Sequence, residues 1–448
     1  MDDLEKKSGF LTGGKVTRRE VLKTGVIAAA GLTLLPTVIA ACSSTSSGGK
    51  VTIGNNHSDA SDLAGMVAVN DAFAKAYPDI KLTMNTVDHN TFQDQINNYL
   101  GATPDDAFSW FSGYRMRFFA DKGLATPIDD SWAKVGSNFT AGFANSVVGN
   151  DKKVYGIPVD YYPWCIFYRK SLFTDKSYAV PGTWDELLAL CAKMQTDGLT
   201  PFAFGDKDGW PAMGTFDILN LRLNGYDFHV GLMTGNEKWT DAKVTAVFQA
   251  WAKLIPFYTD GYAGLTWQQA CDTLVRKTAG LYFLGLFMTG EVATVDKTAV
   301  DDIDFFAFPF MGNSFDAEKS LDAPIDIWML SAKSPSLKDD MASAKTYLEY
   351  WSKGSAQLLM YAANNGFIPC ASDADQSGLS VLTKKAIEIV SKAQKITQFL
   401  DRDTRPDFAG ANSMQSFLLN FLKTPAQDLA ALQKSIQDFW DKLPEYKG

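Results

Sequence analysis

Histidine is nearly absent: His57, His89 and His229 are the only three in 448 residues, far apart and in no His-Glu-x-x-His arrangement. A zinc hydrolase therefore has little support. Cysteine is sparse too, with five residues and no Cys-x-x-Cys pair, which removes the usual zinc and dithiol redox signatures. The chain has no Gly-x-Ser-x-Gly elbow and no Gly-x-x-x-x-Gly-Lys-Ser/Thr phosphate loop, so serine-hydrolase and nucleotide-binding readings lack their marks. Positive charge is in deficit: 42 Lys and Arg against 51 Asp and Glu give a net charge of −9. Proteins that bind phosphate backbones carry basic stripes that release counterions, so nucleic acid is not an expected partner, and no cofactor or metal is expected.

What is present is the composition of a globular protein, 46% hydrophobic and 13% aromatic, with room for two or three lobes. The first residues read differently. Lys15 to Lys23 is a charged stretch, followed by an apolar run from Gly25 to Ala41 that carries Gly31 and Pro36. That run is shorter than the roughly 20 apolar residues that span a bilayer comfortably, and it ends in small residues before Cys42. A removable signal over residues 1–41 is expected. Thr17-Arg18-Arg19-Glu20-Val21-Leu22-Lys23 resembles the twin-arginine export motif, with Val21 where Phe is usual. Ile39-Ala40-Ala41-Cys42 resembles a lipoprotein signal-peptidase box. Residues 42–49 are rich in Ser and Gly, a composition that serves as a flexible tether. Residues 1–41 hold six Lys/Arg and four Asp/Glu, so their removal takes the net charge from −9 to −11. The mature protein is thus expected to be acidic and held by a lipid on Cys42 at the extracytoplasmic face of a bacterial membrane.

From Lys50 onward strands and helices alternate. Val51 to Gly54 reads as a strand, Met66, Val69, Phe73 and Tyr77 fall at helical spacing, and Ile80 to Val87 alternates again after Pro78. This predicts a βαβ unit with a parallel sheet, and ligands bind at the carboxyl ends of such strands. The loop Asn55-Asn56-His57-Ser58-Asp59 lies at that end. Further on, an apolar strand opens at Tyr155 and runs on through Trp164 to Tyr168. Thr183 and Glu186 have the spacing of a capping box ahead of a helix over Leu187 to Met194. Thr278 to Met288 reads as a strand into a loop, Ala323 to Ser331 as a buried strand, and Ala342 to Trp351 as an amphipathic helix. Cys165, Cys191, Cys271 and Cys370 are read as buried thiols in preference to bridges.

The succession Phe73-Ala74-Lys75-Ala76-Tyr77-Pro78-Asp79-Ile80, Tyr155-Gly156-Ile157-Pro158, Thr183-Trp184-Asp185-Glu186 and Phe367-Ile368-Pro369 resembles the extracellular solute-binding proteins of the maltose-binding type. The resemblance implies a two-lobed α/β fold of the periplasmic-binding-protein kind, with a hinge crossed several times. Lobe 1 would take residues 50–158 and 323–371, lobe 2 residues 159–322 and 372–448. Tyr155 to Asp160 would be the first crossing, unless it is a core strand of one lobe. It further implies a monomer that closes over a carbohydrate and is read by the transmembrane permease subunits of an ABC importer.

A pyranose has an apolar face and a rim of hydroxyls, so its binder needs aromatic rings together with carboxylate, amide or guanidinium groups. Trp110, Trp164 and Trp210 stand in polar, Gly/Pro-punctuated stretches. Trp110 and Trp164 also fit a packing role, whereas Gly209 and Pro211 place Trp210 in a turn with no helical face to bury it. Asp326 interrupts an apolar strand, and a carboxylate there must be paired or face a wet cleft. Asp160 lies at the supposed crossing and His57 in the first loop. Asp401-Arg402-Asp403-Thr404 resembles a stretch that reaches sugar hydroxyls in oligosaccharide-binding relatives, although a solvated loop fits as well. Gly285 and Phe287 occupy the region where the family lets backbone approach the ligand. The rival reading is a secreted glycosidase, which needs two carboxyls across a glycosidic bond.

Overall fold

The computed structural model describes residues 49–446. The signal segment, Arg18, Arg19, Cys42 and all of the tether but Gly49 lie outside the described residues. In chain order the strands are β1 (Lys50–Asn55), β2 (Lys81–Thr86), β3 (Ala107–Phe111), β4 (Ala125–Thr126), β5 (Gly156–Tyr161), β6 (Trp164–Arg169), β7 (Thr200–Ala203), β8 (Ala279–Gly285), β9 (Ile303–Phe306), β10 (Leu321–Asp322), β11 (Ile325–Ser331), β12 (Ile368–Pro369) and β13 (Ile396–Thr397).

The expected βαβ unit is present. β1 and β2 pair in parallel, Lys50 with Lys81 through Asn55 with Thr86. Between them the helix Ala60–Ala76 buries Met66, Val69 and Phe73, a stripe at three- and four-residue spacing that faces the sheet. β3 adds to β1 in parallel, and β11 then packs antiparallel between β3 and β5. The seven-stranded sheet reads β12-β5-β11-β3-β1-β2, with β4 on β11.

The apolar run from Tyr155 to Tyr168 is two strands and not the one expected. Pro163 carries no N–H and stops the ladder, so β5 stays in the first sheet while β6 enters a second, four-stranded sheet ordered β7-β8-β6-β9. Every residue of both strands is buried, so no alternation marked the break. The chain leaves the first sheet at Tyr162-Pro163 and returns through Ala323-Pro324 into β11. Beside this return β10 and β13 pair in parallel.

Other local expectations hold for the stated reasons. Thr183 accepts from the Glu186 amide at 3.3 Å and Glu186 accepts in return from the Thr183 amide at 3.0 Å, which starts the helix Trp184–Thr196. The strand expected at Ala323 to Ser331 is β11, buried throughout. The helix expected at Ala342 to Trp351 begins earlier, at Leu337. The strand-into-loop expected over Thr278 to Met288 is β8 followed by a turn at Leu286-Phe287, after which the helix Met288–Val295 begins. Cys165, Cys191, Cys271 and Cys370 are buried and unpaired. Among the described residues no helix is long and apolar enough to cross a membrane.

Candidate functional site

The carboxyl end of β1 turns through Asn55, whose side-chain oxygen accepts from the His57 amide at 3.1 Å and whose amide nitrogen donates to the His57 carbonyl at 3.2 Å. The next residue is tied to β3: Asn56 donates its amide N–H to Ser109 Oγ at 3.0 Å, and that hydroxyl donates to Asn56 Oδ1 at 2.7 Å. These bonds hold the His57-Ser58-Asp59 loop over the end of the first sheet. The His57 ring stands edge-on to Phe367 at 5.9 Å. Its pKa is pushed down to about 4, chiefly by burial, so the imidazole is neutral at pH 7. Asp62, in the first turn of the following helix, accepts from Asn364 Nδ2 and Ser61 Oγ, each at 3.0 Å. Burial pushes its carboxyl up to about 7.

At the start of β11 the pairing with β5 shifts: Asp326 lies opposite Asp160, and Ile327 opposite Pro158. Such bulges re-aim side chains. Asp326 accepts from Arg402 Nη1 at 2.7 Å, while the Arg402 guanidinium lies 3.7 Å from the centroid of Phe111. The neighbouring Asp401 accepts from the buried Arg115 at 2.9 Å. Asp160 is buried behind this pair, with Oδ1 lacking a hydrogen-bond partner. Burial first, then the charges of Asp326 and Asp62, raise its pKa well above the usual carboxylate range.

Aromatic rings form the facing walls. Trp164 meets Trp210 edge-on at 6.0 Å and tilts against Phe399 at 5.1 Å, and Trp267 meets Phe287 edge-on at 5.2 Å. Phe399 has φ 75°, an uncommon conformation for a non-glycine residue, and it places the ring on Trp164. Gly366 cannot carry a side chain, because a Cβ there would lie 2.2 Å from the Leu286 carbonyl oxygen. This close approach brings the Phe367 segment against Phe287. The cleft so formed has a cavity volume of about 90 Å³. Asp59 Oδ1 accepts from Gln268 Nε2 at 3.1 Å, a bond from the β1 loop to the helix Trp267–Val275 that precedes β8.

His57, Trp164, Trp210, Phe287, Asp326, Asp401 and Arg402 line this cleft. Trp210 does so from a different setting than expected. It is the first residue of a long helix, Trp210–Thr234, for which Gly209 at φ 74° is the N-cap, so the Gly-Trp-Pro sequence marks a helix start and not an isolated turn. Three expected residues do not line the cleft. Trp110 stacks on Phe111 at 4.7 Å and meets Phe119 at 5.5 Å, and it is buried in the core. Gly285 is covered: a Cβ there would meet the Phe287 ring at 2.5 Å. Asp160 lies opposite Asp326 in the strand pairing and is buried.

Sequence reading placed Asp59 in the loop at this end but passed over Asp62, Tyr162, Trp267, Gln268 and Phe399, all of which line the cleft. Trp267 had a usable signal, since Thr266 and Gln269 form a second capping box, and helix N-termini ring the cleft. Among the described residues no group of three or more His, Cys, Asp or Glu side chains is placed to hold a metal ion. The cleft offers stacking faces, acceptors and a guanidinium, which suits reversible capture of a hydroxylated solute.

The family model of the bacterial extracellular solute-binding proteins matches residues 58–357. An ABC transporter extracellular-binding protein of Pyrococcus horikoshii is 26% identical over 332 residues, covering 72% of each chain. The alpha-glucosides-binding periplasmic protein AglE of Rhizobium meliloti is 24% identical over 390 residues, 81% of each chain. Among solved structures, the bacterial solute receptor AcbH superposes with a TM-score of 0.83 at 39% identity, covering 88% of this chain and 99% of that one. The chain therefore belongs to the bacterial extracellular solute-binding proteins, a family of two-lobed α/β binders and not of enzymes.

Proposed function

We propose that this chain captures a carbohydrate in the cleft and delivers it to the permease subunits of an ABC importer. The observation that carries the reading is the meeting, in one cleft, of the Trp210 and Trp267 rings with the acceptors Asp59, Asp326 and Asp401. Rings cover the apolar face of a pyranose while carboxylates accept from its hydroxyls. AcbH is described as having an exclusive preference for β-D-galactopyranose, which makes that sugar the first to test.

The boundaries first expected, 50–158 and 323–371 against 159–322 and 372–448, shift at one point: β5 runs to Tyr161 in the first sheet, so lobe 1 takes residues 50–161 and 323–371 and lobe 2 residues 162–322 and 372–448. A sugar that touches both lobes binds the closed arrangement better and shifts the population toward it. The chain acts as a monomer, exported through its Arg18-Arg19 signal and held outside the membrane by a lipid on Cys42. The glycosidase alternative is less favoured. The matching family is one of binders, and Asp326 and Asp401 are each taken up by an arginine, although the cleft also holds Asp62, whose carboxyl is pushed up to about 7.

Calorimetric titration of the purified protein against a sugar panel headed by galactose tests the proposal. Trp210→Ala and Trp267→Ala should each weaken the best sugar by about tenfold or more, and the sugar should be recovered intact. Unchanged affinity in both variants would overturn the site, and turnover of the sugar would overturn the binding role.

A further inference from the structure

Asp401 and Arg402 reach the cleft from a segment whose backbone is strained. Phe399 has φ 75° and ψ 156°, a region that only glycine adopts readily, and other residues hold it only where their surroundings fix them there. The turn that follows depends on this residue: the Phe399 carbonyl accepts from the amides of Arg402 at 2.7 Å and Asp403 at 2.8 Å. A rotation of the Phe399 peptide would therefore move Asp401 and Arg402 together.

The fixing comes from two sides. From the first sheet, the Gln398 side-chain oxygen accepts from the Ile325 amide at 2.8 Å and from Ser112 Oγ at 3.0 Å. From the other side comes Asp217, in the helix Trp210–Thr234, whose Oδ2 accepts from the Leu400 amide. Asp217 is fully buried and does not line the cleft. Its Oδ1 has no hydrogen-bond partner among the described residues; His229 Nδ1 stands 4.0 Å from it and 3.2 Å from Asn220 Nδ2. A carboxyl buried in this way costs the fold stability that an apolar side chain would not, and the hydrogen bond it does make goes to the segment that carries Asp401 and Arg402.

We infer that Asp217 is a positioning residue for the cleft: through the Leu400 amide it holds the strained Phe399 turn that presents Asp401 and Arg402, without touching the ligand itself. The inference rests on the carbohydrate reading and deepens it, by tracing part of the affinity to a helix residue behind the site. What the position requires is an acceptor and not a charge. Burial, and then the charge of Asp322, raise the Asp217 pKa well above the usual carboxylate range, and an amide oxygen in the same place can accept the same bond. Without an acceptor the buried Leu400 N–H is left unpaired. The Phe399 peptide is then free to relax, drawing Asp401 away from Arg115 and Arg402 away from Asp326.

The test uses the mature protein, with calorimetry against D-galactose and the rest of the sugar panel and with amide exchange followed over residues 398–404. Asp217→Leu, of similar volume but without an acceptor, should weaken the best sugar about tenfold and speed exchange in that segment by a similar factor. Asp217→Asn should keep both near their wild-type values. Asn224→Ala removes a buried side chain from the same helix, one that donates to Asn220 and to the Lys243 carbonyl. It should lower the melting temperature and leave both readouts unchanged. Wild-type affinity and exchange in Asp217→Leu, or equal weakening in Asn224→Ala, would overturn the positioning role. Should Asp217→Leu not fold, exchange of the Leu400 amide in the wild-type protein decides: protection like that of helix amides supports the role, and exchange as fast as that of exposed amides overturns it. If no sugar binds the wild type, the carbohydrate reading falls, and the exchange comparison still settles what Asp217 holds.

Discussion

Arg402 reaches Asp326 from the far end of the chain, donating through Nη1 at 2.7 Å, with both side chains almost wholly buried at 5% and 9% exposure. Removing either partner leaves a buried charge uncompensated, which costs roughly 3–5 kcal/mol, whereas replacing the pair with apolar groups is often close to neutral. Asp326→Ala is therefore expected to lower stability as well as affinity. Asp326→Ala combined with Arg402→Met should cost clearly less than the two single changes added together. Urea denaturation of the four proteins measures this. Additive losses would mean that the pair is not coupled.

Stability should rise on mild acidification. Asp62, Asp206 and Asp322 are pushed up to about 7, and Asp403 to about 6, each mainly by burial. Their ordinary value is 3.8, so the folded state holds protons that the unfolded chain has lost. The stabilisation from these groups is complete below pH 3.8 and disappears as pH climbs through 6 to 7. His57 and His229 act oppositely, because burial pushes them down to about 4 and about 3 from 6.5, and their effect lowers stability as pH falls below 6.5. Four carboxyls outweigh two imidazoles, so the melting temperature at pH 5 should exceed that at pH 7.5. A melting temperature lower at pH 5 than at pH 7.5 would contradict the burial of these acids.

Cys42→Ala should move the protein from the membrane fraction to the medium and abolish incorporation of labelled fatty acid. The expectation follows from the small residues before Cys42 and the Ser/Gly tether after it. Equal labelling of wild type and variant would remove the lipid anchor from the account.

Much of the fold was legible where one physical signal acted locally. The Met66, Val69 and Phe73 stripe, the Thr183 and Glu186 capping box and the apolar run of β11 each specify an element within a few residues of themselves. The break at Tyr162-Pro163 was not legible, because both flanking strands are buried on both faces and read as one hydrophobic run. Trp210 was misplaced for a related reason. Gly and Pro beside it signal a turn, yet proline in the first turn of a helix lacks only an N–H that would be unpaired there anyway.

By itself the sequence determined the family pattern, the excess of acidic over basic residues, and the presence of aromatic and carboxylate candidates. Tertiary structure alone decided which of those residues meet. Asp326 and Arg402, like Asp59 and Gln268, are brought together by long-range chain crossings that leave no periodic trace in either segment. Trp110 and Phe111 are neighbours in sequence and stack on each other, yet Phe111 lies beneath Arg402 while Trp110 packs on Phe119. Which face becomes cleft depends on what packs against the other side, and that is a property of the assembled sheets and not of any one strand.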